Sequence, residues 1–495
     1  MLTQSPPAQV APKPFPLEPA RNCWQVAQAD RAAFIIDAEE YFRVARKAML
    51  SARTRIMLIG WDVDTRICLD PDKEDEAPEC LGPLLSWLVK NRPELEIHVL
   101  AWGGAAYKFL GRGSTVFRLA AWARHRRVHF RLDTTHPREA SHHQKILVVD
   151  DSLAFCGGID MTGSRWDTRN HKDRDPRRRR PTTGRRYDPW HDTIMAVDGA
   201  AAKSLGELAR LRWKVGCAEE LDEAKAPPKA PWPEGLKPDF HNVPVAIART
   251  RGKVKNWTEV REIEALYVDM INAAERFVYL ENQYFASRAV ANAIHRRLKE
   301  TGGPEFVLIS PNTGLGWLDD EAMSPARAEL MKALADADHE KRFRIYNPVT
   351  DAGAMIYVHS KVTIVDDRMV RVGSANLNNR SMGLDSECDL MIDAAHDSSG
   401  ATAERIAGIR TDLMAEHLGL DAAEVDRSFH STGSLIQTIE TLRSTGRTLQ
   451  PFVPEEPSAL EKTLALSESL DPESADESFE PMAKHRLLSG MRLRR

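Results

Sequence analysis

Two short stretches of this chain carry the residue types and spacing that chemistry needs. His143, Lys145 and Asp150 fall within Ser-His-His-Gln-Lys-Ile-Leu-Val-Val-Asp, residues 141–150. His359, Lys361 and Asp366 repeat the spacing within Val-His-Ser-Lys-Val-Thr-Ile-Val-Asp. Both read HxKxxxxD. Residues two apart on an extended chain point to one face, so each His and Lys can act together. Lys offers a point charge for a phosphoryl oxygen. His serves as nucleophile or proton carrier near neutral pH. Two such halves facing each other surround one phosphorus with two imidazoles and two ammonium groups. That suits a two-step displacement at a phosphodiester, in which one His attacks and the other protonates the leaving alcohol, then deprotonates water. Cationic Lys and polar donors hold the phosphoryl charge without a metal. No carboxylate or His/Cys cluster with metal-ligand spacing stands in the sequence, so neither metal nor cofactor is expected.

The elements that position these residues follow from the flanking pattern. Residues 146–149 and 362–365 are apolar or β-branched and read as buried strands. Asp150 and Asp366 follow where those strands should end. Within the candidate catalytic set they are expected to tie loops together rather than to react. Even with Arg counted as Lys and Glu as Asp, chance yields only roughly 0.3 copies of the pattern from 16 His. Upstream of each motif, strand and helix patterns alternate: strands over 55–61, 96–101 and 128–132 with helices over 81–91 and 115–125, then strands over 277–280, 306–310 and 343–346 with helices over 289–301 and 324–337. A strand over 193–197 and a helix over 199–213 follow the first motif. The motif histidines lie 216 residues apart and the strands starting at Arg55 and Arg276 lie 221 apart, a near-constant offset that indicates internal duplication. Helical spacing also covers 32–52 and 258–274, with Thr258 a candidate N-cap. The expected fold class is α/β, with both faces of each sheet covered.

The 495 residues suit two domain-sized halves. A hydrophobic content of 42% provides a full core, and a net charge of −4 gives no global field for nucleic acid. Six scattered cysteines without CxxC fit reduced thiols in a cytosol-like compartment. No apolar run reaches membrane-span length. The Pro-rich start, residues 1–19, lacks a basic stretch followed by an apolar one, so no secretory signal is read, and export by another route is open. The expected organisation is a disordered 1–20, a first catalytic half at 21–217, a Pro/Lys-rich linker at 218–240, a second half at 241–424 and a mostly disordered 425–495 with a short helix near 434–443. Residues 165–186 hold Arg177 to Arg180 and five further arginines. They read as a solvated insertion, or as a basic loop that attracts anionic surfaces.

The paired motif, with Gly373-Ser-Ala-Asn-Leu-Asn-Asn-Arg-Ser381 and Asp385-Ser-Glu387 after the second copy, resembles the phospholipase D superfamily. Pro189-Trp-His-Asp192 and Glu281-Asn-Gln-Tyr-Phe285 are similar to its phospholipase branch, here in a bacterial phospholipase D-like form. The resemblance spans residues 30–420. It implies the phospholipase D fold, two duplicated α/β/α halves with pseudo-twofold symmetry and one shared site. It implies His143 as nucleophile, His359 as general acid/base, and Lys145 and Lys361 on the phosphate. Ser374 and Asn376 would add phosphate donors, whereas the same offsets in the first half give Gly158 and Asp160, so a phosphate contact from Asp160 is not expected. Asp192 and Glu387 would orient the rings, as acidic partners do in triads. The implied activity is hydrolysis of a glycerophospholipid such as phosphatidylcholine to phosphatidate and choline, with transphosphatidylation. The implied partner is phospholipid at a membrane surface, with the protein cytoplasmic or peripheral and a monomer by default. Alternatives are a nucleic-acid phosphodiesterase, a cardiolipin-synthase-like transferase, whose usual N-terminal spans are missing here, and an idle lipid-binding relative. Trp190 and Tyr284 could line the pocket. His142 is expected on the opposite strand face, Trp61, Trp102 and Trp122 in the core, and His98, His125 and His129 half-exposed.

Overall fold

The computed structural model describes residues 13–105, 112–137, 140–225, 227, 230–254, 257–312, 317–453 and 471. One large mixed sheet and a separate two-stranded one frame them. The first half supplies β1 (Gln25–Ile36), β2 (Arg55–Gly60), β3 (Glu96–Trp102), β4 (Val128–Asp133), β5 (Ile146–Val149), β6 (Leu153–Gly157), β7 (Trp190–His191) and β8 (Thr193–Asp198). The second supplies β9 (Phe240–Arg251), β10 (Val260–Arg261), β11 (Phe277–Glu281), β12 (Glu305–Ile309), β13 (Phe343–Val349), β14 (Tyr357–Val358), β15 (Val362–Val365), β16 (Met369–Gly373) and β17 (Glu387–Asp393), and β18 (Thr448–Pro451) closes the edge. Outward from the centre, the order is β1-β8-β6-β5-β2-β3-β4 on one side and β9-β17-β16-β15-β11-β12-β13 on the other. The two halves repeat one topology, and antiparallel β1 and β9 fuse them, from Gln25 opposite Ile247 to Ala32 opposite Phe240.

The motif strands are interior hairpins, β5–β6 and β15–β16, buried at every position. Helices cover both faces, which is why these strands read as unbroken apolar runs rather than alternating ones. Along β2, Ile56 and Leu58 pack with the helices Ala38–Ser51 and Leu81–Asn91, while Met57 and Ile59 pack on the other face with the helix Gly199–Cys217. Helices Glu262–Ala273 and Arg288–Leu298 repeat the first layer in the second half. The helix Ala401–Leu418 repeats the second.

Four expectations change. The helical spacing over 32–52 belongs partly to β1. Residues 32–36 pair with β8 on one side, and the chain turns at Asp37, φ 67°, into the helix Ala38–Ser51. Pairing with a strand distant in sequence overrides local propensity there. The helix expected from Thr258 starts at Glu262, behind the short β10, with Arg261 at its cap. Order also extends past both expected boundaries. Phe15 is buried and its N–H donates to Asp393, and residues 422–451 form the helices Ala422–Thr432 and Leu435–Leu442 and then β18. Val425, Phe429, Leu435 and Ile439 join the core, so this stretch buries enough apolar surface to order. Residues 1–12, 454–470 and 472–495 lie outside the described residues. Finally, the described residues of the 218–239 segment hold no regular element and Phe240 already opens β9, yet Ala224 and Leu236 are buried against the first half.

Candidate active site

Each motif His opens onto the end of its interior strand, where the two halves meet. His143 precedes β5, and its backbone N–H donates to Ser386 O of the other half. His359 follows β14, which pairs in parallel with β7 of the first half, and its N–H donates to His191 O. Backbone bonds across the interface therefore fix both motif ends. The ring centroids of His143 and His359 lie 6.4 Å apart.

The carboxylates cross over. His143 Nδ1 lies 3.0 Å from Glu387 Oε1, in the second half, and 3.0 Å from Ser374 O. His359 Nδ1 lies 2.7 Å from Asp192 Oδ2, in the first half. Burial and the nearby Lys145 and Lys361 hold His143 well below the usual histidine value. Burial, Lys361 and Arg165 do the same to His359. Burial pushes Asp192 and Glu387 upward. The lowered imidazoles are neutral at pH 7, and geometry sets their tautomer: His143 Nδ1 faces the Ser374 carbonyl, which can only accept, and His359 Nδ1 faces Asp192, so each Nδ1 carries the proton and each Nε2 lone pair is open to a reactant.

Lys145 Nζ donates to His143 O at 2.8 Å and lies 3.3 Å from Asp160 Oδ2. Asp160 also accepts from Trp61 N–H, so it is held by the first half and is no phosphate donor. Lys361 Nζ donates to His359 O, and burial lowers its pKa. Asn376 keeps a buried Oδ1 with no hydrogen-bond partner. Ser374 departs from expectation. Its one O–H goes to Glu387 Oε2 at 2.5 Å and its Oγ accepts from Cys388 N–H at 3.0 Å. It therefore props the carboxylate, with Ser381 Oγ at 2.7 Å from Oε1, and has no donor left for phosphate.

The structure separates Asp150 and Asp366 from this cluster. Each lies across a four-residue strand from its lysine, about 13–16 Å along an extended chain. Asp150 accepts from the N–H groups of Arg53, Thr54 and Arg55 at 2.7–2.8 Å, and Asp366 from those of Glu275, Arg276 and Phe277 at 2.6–2.8 Å. Both take φ near +50°. They anchor the starts of β2 and β11, and so act on the strand register.

Two participants escaped sequence reasoning. Arg165 lies with its guanidinium 4.2 Å over the Trp190 ring, and Trp190 packs 5.0 Å from His359 and 4.9 Å from Tyr357. The insertion is therefore packed onto the site at its start, through Arg165, while residues 179–186 stay exposed. Arg178 within it is buried and paired with Asp167. Nothing marked Arg165 among so many arginines. The second is His191, fully buried between Glu281 and Glu416. His142 is buried on Asp133, Arg212 and Ser386. Trp122 is core, whereas Trp61 and Trp102 are only partly buried and stack on each other. His98 is fully buried against Trp213, contrary to expectation, because it sits on the covered inner strand β3.

The comparisons fall on the same two halves. The family profile described as "Phospholipase D" matches residues 48–229, and that described as "Cardiolipin synthase, PLD-like domain" matches 267–406. The chain belongs to the phospholipase D superfamily. Among curated members of the superfamily, phospholipase D alpha 4 of Arabidopsis thaliana is 23% identical over 81% of this chain and 66% of its own. Phospholipase D1 of Schizosaccharomyces pombe is 24% identical over 67% of this chain and 30% of its own. The chain thus spans less than two thirds of the length of these relatives. Among solved structures, phosphatidylserine synthase of Haemophilus influenzae superposes with a TM-score of 0.52 at 13% identity, covering 85% of this chain and 97% of that one, which shows a shared fold. Among the described residues no helix is long and apolar enough to cross a membrane.

Proposed function

We propose that this chain is a phospholipase D, cleaving the distal phosphodiester of a glycerophospholipid through a phosphohistidine. The observation that carries the reading is the crossed pair of neutral imidazoles 6.4 Å apart. With their ring centroids at that separation, both imidazoles can reach one phosphodiester held between them. The anionic phosphodiester enters among Lys145, Lys361 and Arg165, and its charge raises the imidazoles that those cations had lowered. His143 Nε2 attacks phosphorus while the P–O bond to the head-group alcohol breaks. His359, now protonated at Nε2, delivers that proton to the leaving oxygen. Water then loses a proton to His359 and attacks phosphorus, the P–N bond breaks and His143 returns. Lys145, Lys361 and Asn376 hold the non-bridging oxygens throughout. Another alcohol can replace water in the second step, which is transphosphatidylation. Asp192 and Glu387 keep the tautomers.

The match of the second half to a cardiolipin-synthase-like domain favours a second reading, in which the acceptor alcohol is itself a phospholipid. Purified protein supplied with phosphatidylcholine, then with phosphatidylglycerol, then with single-stranded DNA separates the readings. Phosphatidate plus choline, and phosphatidylethanol when ethanol is added, are expected. Cardiolipin and glycerol from phosphatidylglycerol, without phosphatidate, would favour the transferase, and cleavage of DNA alone would overturn both lipid readings.

A further inference from the structure

Behind His359, four buried side chains from four separate stretches turn donor atoms toward one another. Asp37 follows β1, His171 lies in the arginine-rich insertion, His191 lies in β7, and Glu416 lies on the helix Ala401–Leu418. His171 Nε2 is 3.1 Å from Glu416 Oε1 and 3.6 Å from Asp37 Oδ2. His191 Nδ1 is 2.8 Å from Glu416 Oε1 and 3.2 Å from Asp37 Oδ1. The four ligand atoms all lie within 4.8 Å of one another. A tetrahedron with metal–ligand bonds of about 2.0–2.1 Å has edges of roughly 3.3–3.4 Å. The four nitrogen–oxygen distances, which reach one Glu416 oxygen and both Asp37 oxygens, lie on either side of that length.

Three further observations point the same way. Each imidazole spends its second nitrogen on a carboxylate, His171 Nδ1 on Asp167 at 3.0 Å and His191 Nε2 on Glu281 at 2.9 Å. Histidines that ligate metals are held in this manner, which fixes the tautomer and ring angle. Asp37 Oδ2 is buried, faces the cluster and has no hydrogen-bond partner. An orphaned buried carboxylate oxygen is costly, and a cation would satisfy it. Asp37 and His171 both adopt left-handed backbone conformations, φ 67° and 41°, which side chains other than Gly resist.

We propose that Asp37, His171, His191 and Glu416 form a tetrahedral site for one zinc-like divalent cation. Two imidazoles among four ligands disfavour Ca²⁺ and Mg²⁺, which take oxygen donors in higher number. A divalent cation on two neutral imidazoles also carries the charge of two protons, so it balances the surrounding carboxylates as well as protonated rings would. The site is structural. It ties the insertion and β7 of the first half to a helix of the second, and Asp192, the residue next to His191, holds His359. No step of phosphoryl transfer passes through the ion. Sequence reading missed it because the ligands are dispersed from residue 37 to residue 416.

The test is metal analysis of the full chain, produced with added Zn²⁺ and dialysed exhaustively. About one zinc per chain is expected, with X-ray absorption reporting four nitrogen or oxygen ligands at about 2.0–2.1 Å and no sulfur. Refolding with Zn²⁺ should raise the thermal midpoint above that reached in chelator. His171→Ala should lose the ion, whereas His143→Ala should keep it. If His171→Ala does not fold, the stoichiometry and ligand shell of the parent protein still decide. A parent protein that holds no zinc and whose midpoint ignores both Zn²⁺ and chelator would overturn the proposal in favour of a metal-free protonated network. Zinc retained by folded His171→Ala, or a sulfur ligand, would also overturn it.

Discussion

Gly158→Ala perturbs the site without touching a charged group. Gly158 follows β6 in the first half and lies against the Asp192 carboxylate. A Cβ there would fall inside the envelope of Asp192 Oδ1, with Cγ at 2.9 Å. Non-bonded heavy atoms rest about 3.5–4.0 Å apart, so the overlapping Oδ1 must retreat by more than about 1 Å. Asp192 is fully buried, accepts from Thr193 N–H at 2.8 Å and contacts His359 Nδ1 at 2.7 Å, so that retreat strains the contact that sets the His359 ring. A misplacement of 1 Å can cost about 10²-fold in rate. The loss should depend on the leaving group. With phosphatidylcholine, whose departing choline needs the proton, kcat should fall by about 10²-fold. With a p-nitrophenyl phosphodiester, which leaves as an anion, phosphorylation of His143 should slow by less than about tenfold. Stopped-flow release of p-nitrophenol beside choline release measures both. An equal loss on the two substrates would mean that Gly158→Ala disturbs something other than the acid. No loss on either would refute the role given to Asp192.

Further outcomes follow from the geometry. Asp366→Ala should lower stability by about 3 kcal/mol, since three N–H groups lose a carboxylate, with little change in kcat at low temperature; a large kcat loss in a protein of unchanged thermal midpoint would make Asp366 catalytic after all. Burial depresses His98 to about 3, so the unfolded chain binds its proton first as pH falls below 6.5, and the stability that depends on neutral His98 is full above that pH and drains away toward pH 3. Between pH 7 and pH 5 this amounts to about 2 kcal/mol, which His98→Asn should remove from the pH dependence of urea unfolding; identical slopes in parent and variant would contradict it. Replacing the exposed Arg179, Arg180, Arg185 and Arg186 by Ser should weaken sedimentation with anionic vesicles at low salt, by up to about 1 kcal/mol per arginine, and equal binding would leave this loop no role at a membrane.

The motif residues were legible because their spacing is local. His143 and Lys145 need only one strand end to share a face, and the apolar runs after them need only covered sheet faces. The crossing of the carboxylates was not legible from spacing. Asp192 and Glu387 were singled out by resemblance alone, and their exchange between halves depends on β7 pairing with β14 and on the His143 N–H reaching Ser386 O. The hardest element to see was the joint of the molecule. β1 was hidden in a helical rhythm of alanines, and β9 begins where a linker seemed to end. Both are stabilised by partners more than 200 residues away, to which no local window is sensitive. Arg165 illustrates the same limit at the site, since its position over Trp190 is set by a loop packed through the buried Arg178–Asp167 pair.

The central claim is that His143 carries the phosphoryl group and His359 moves the protons. Intact-mass analysis of His143→Ala and His359→Ala, each mixed with a p-nitrophenyl phosphodiester, tests it most directly. The account predicts an acid-labile adduct that accumulates on His359→Ala, because the activated leaving group needs no proton while the water that would clear the adduct is no longer deprotonated. It predicts no adduct on His143→Ala, where no atom remains to accept phosphorus. An adduct on His143→Ala with none on His359→Ala would contradict the assignment.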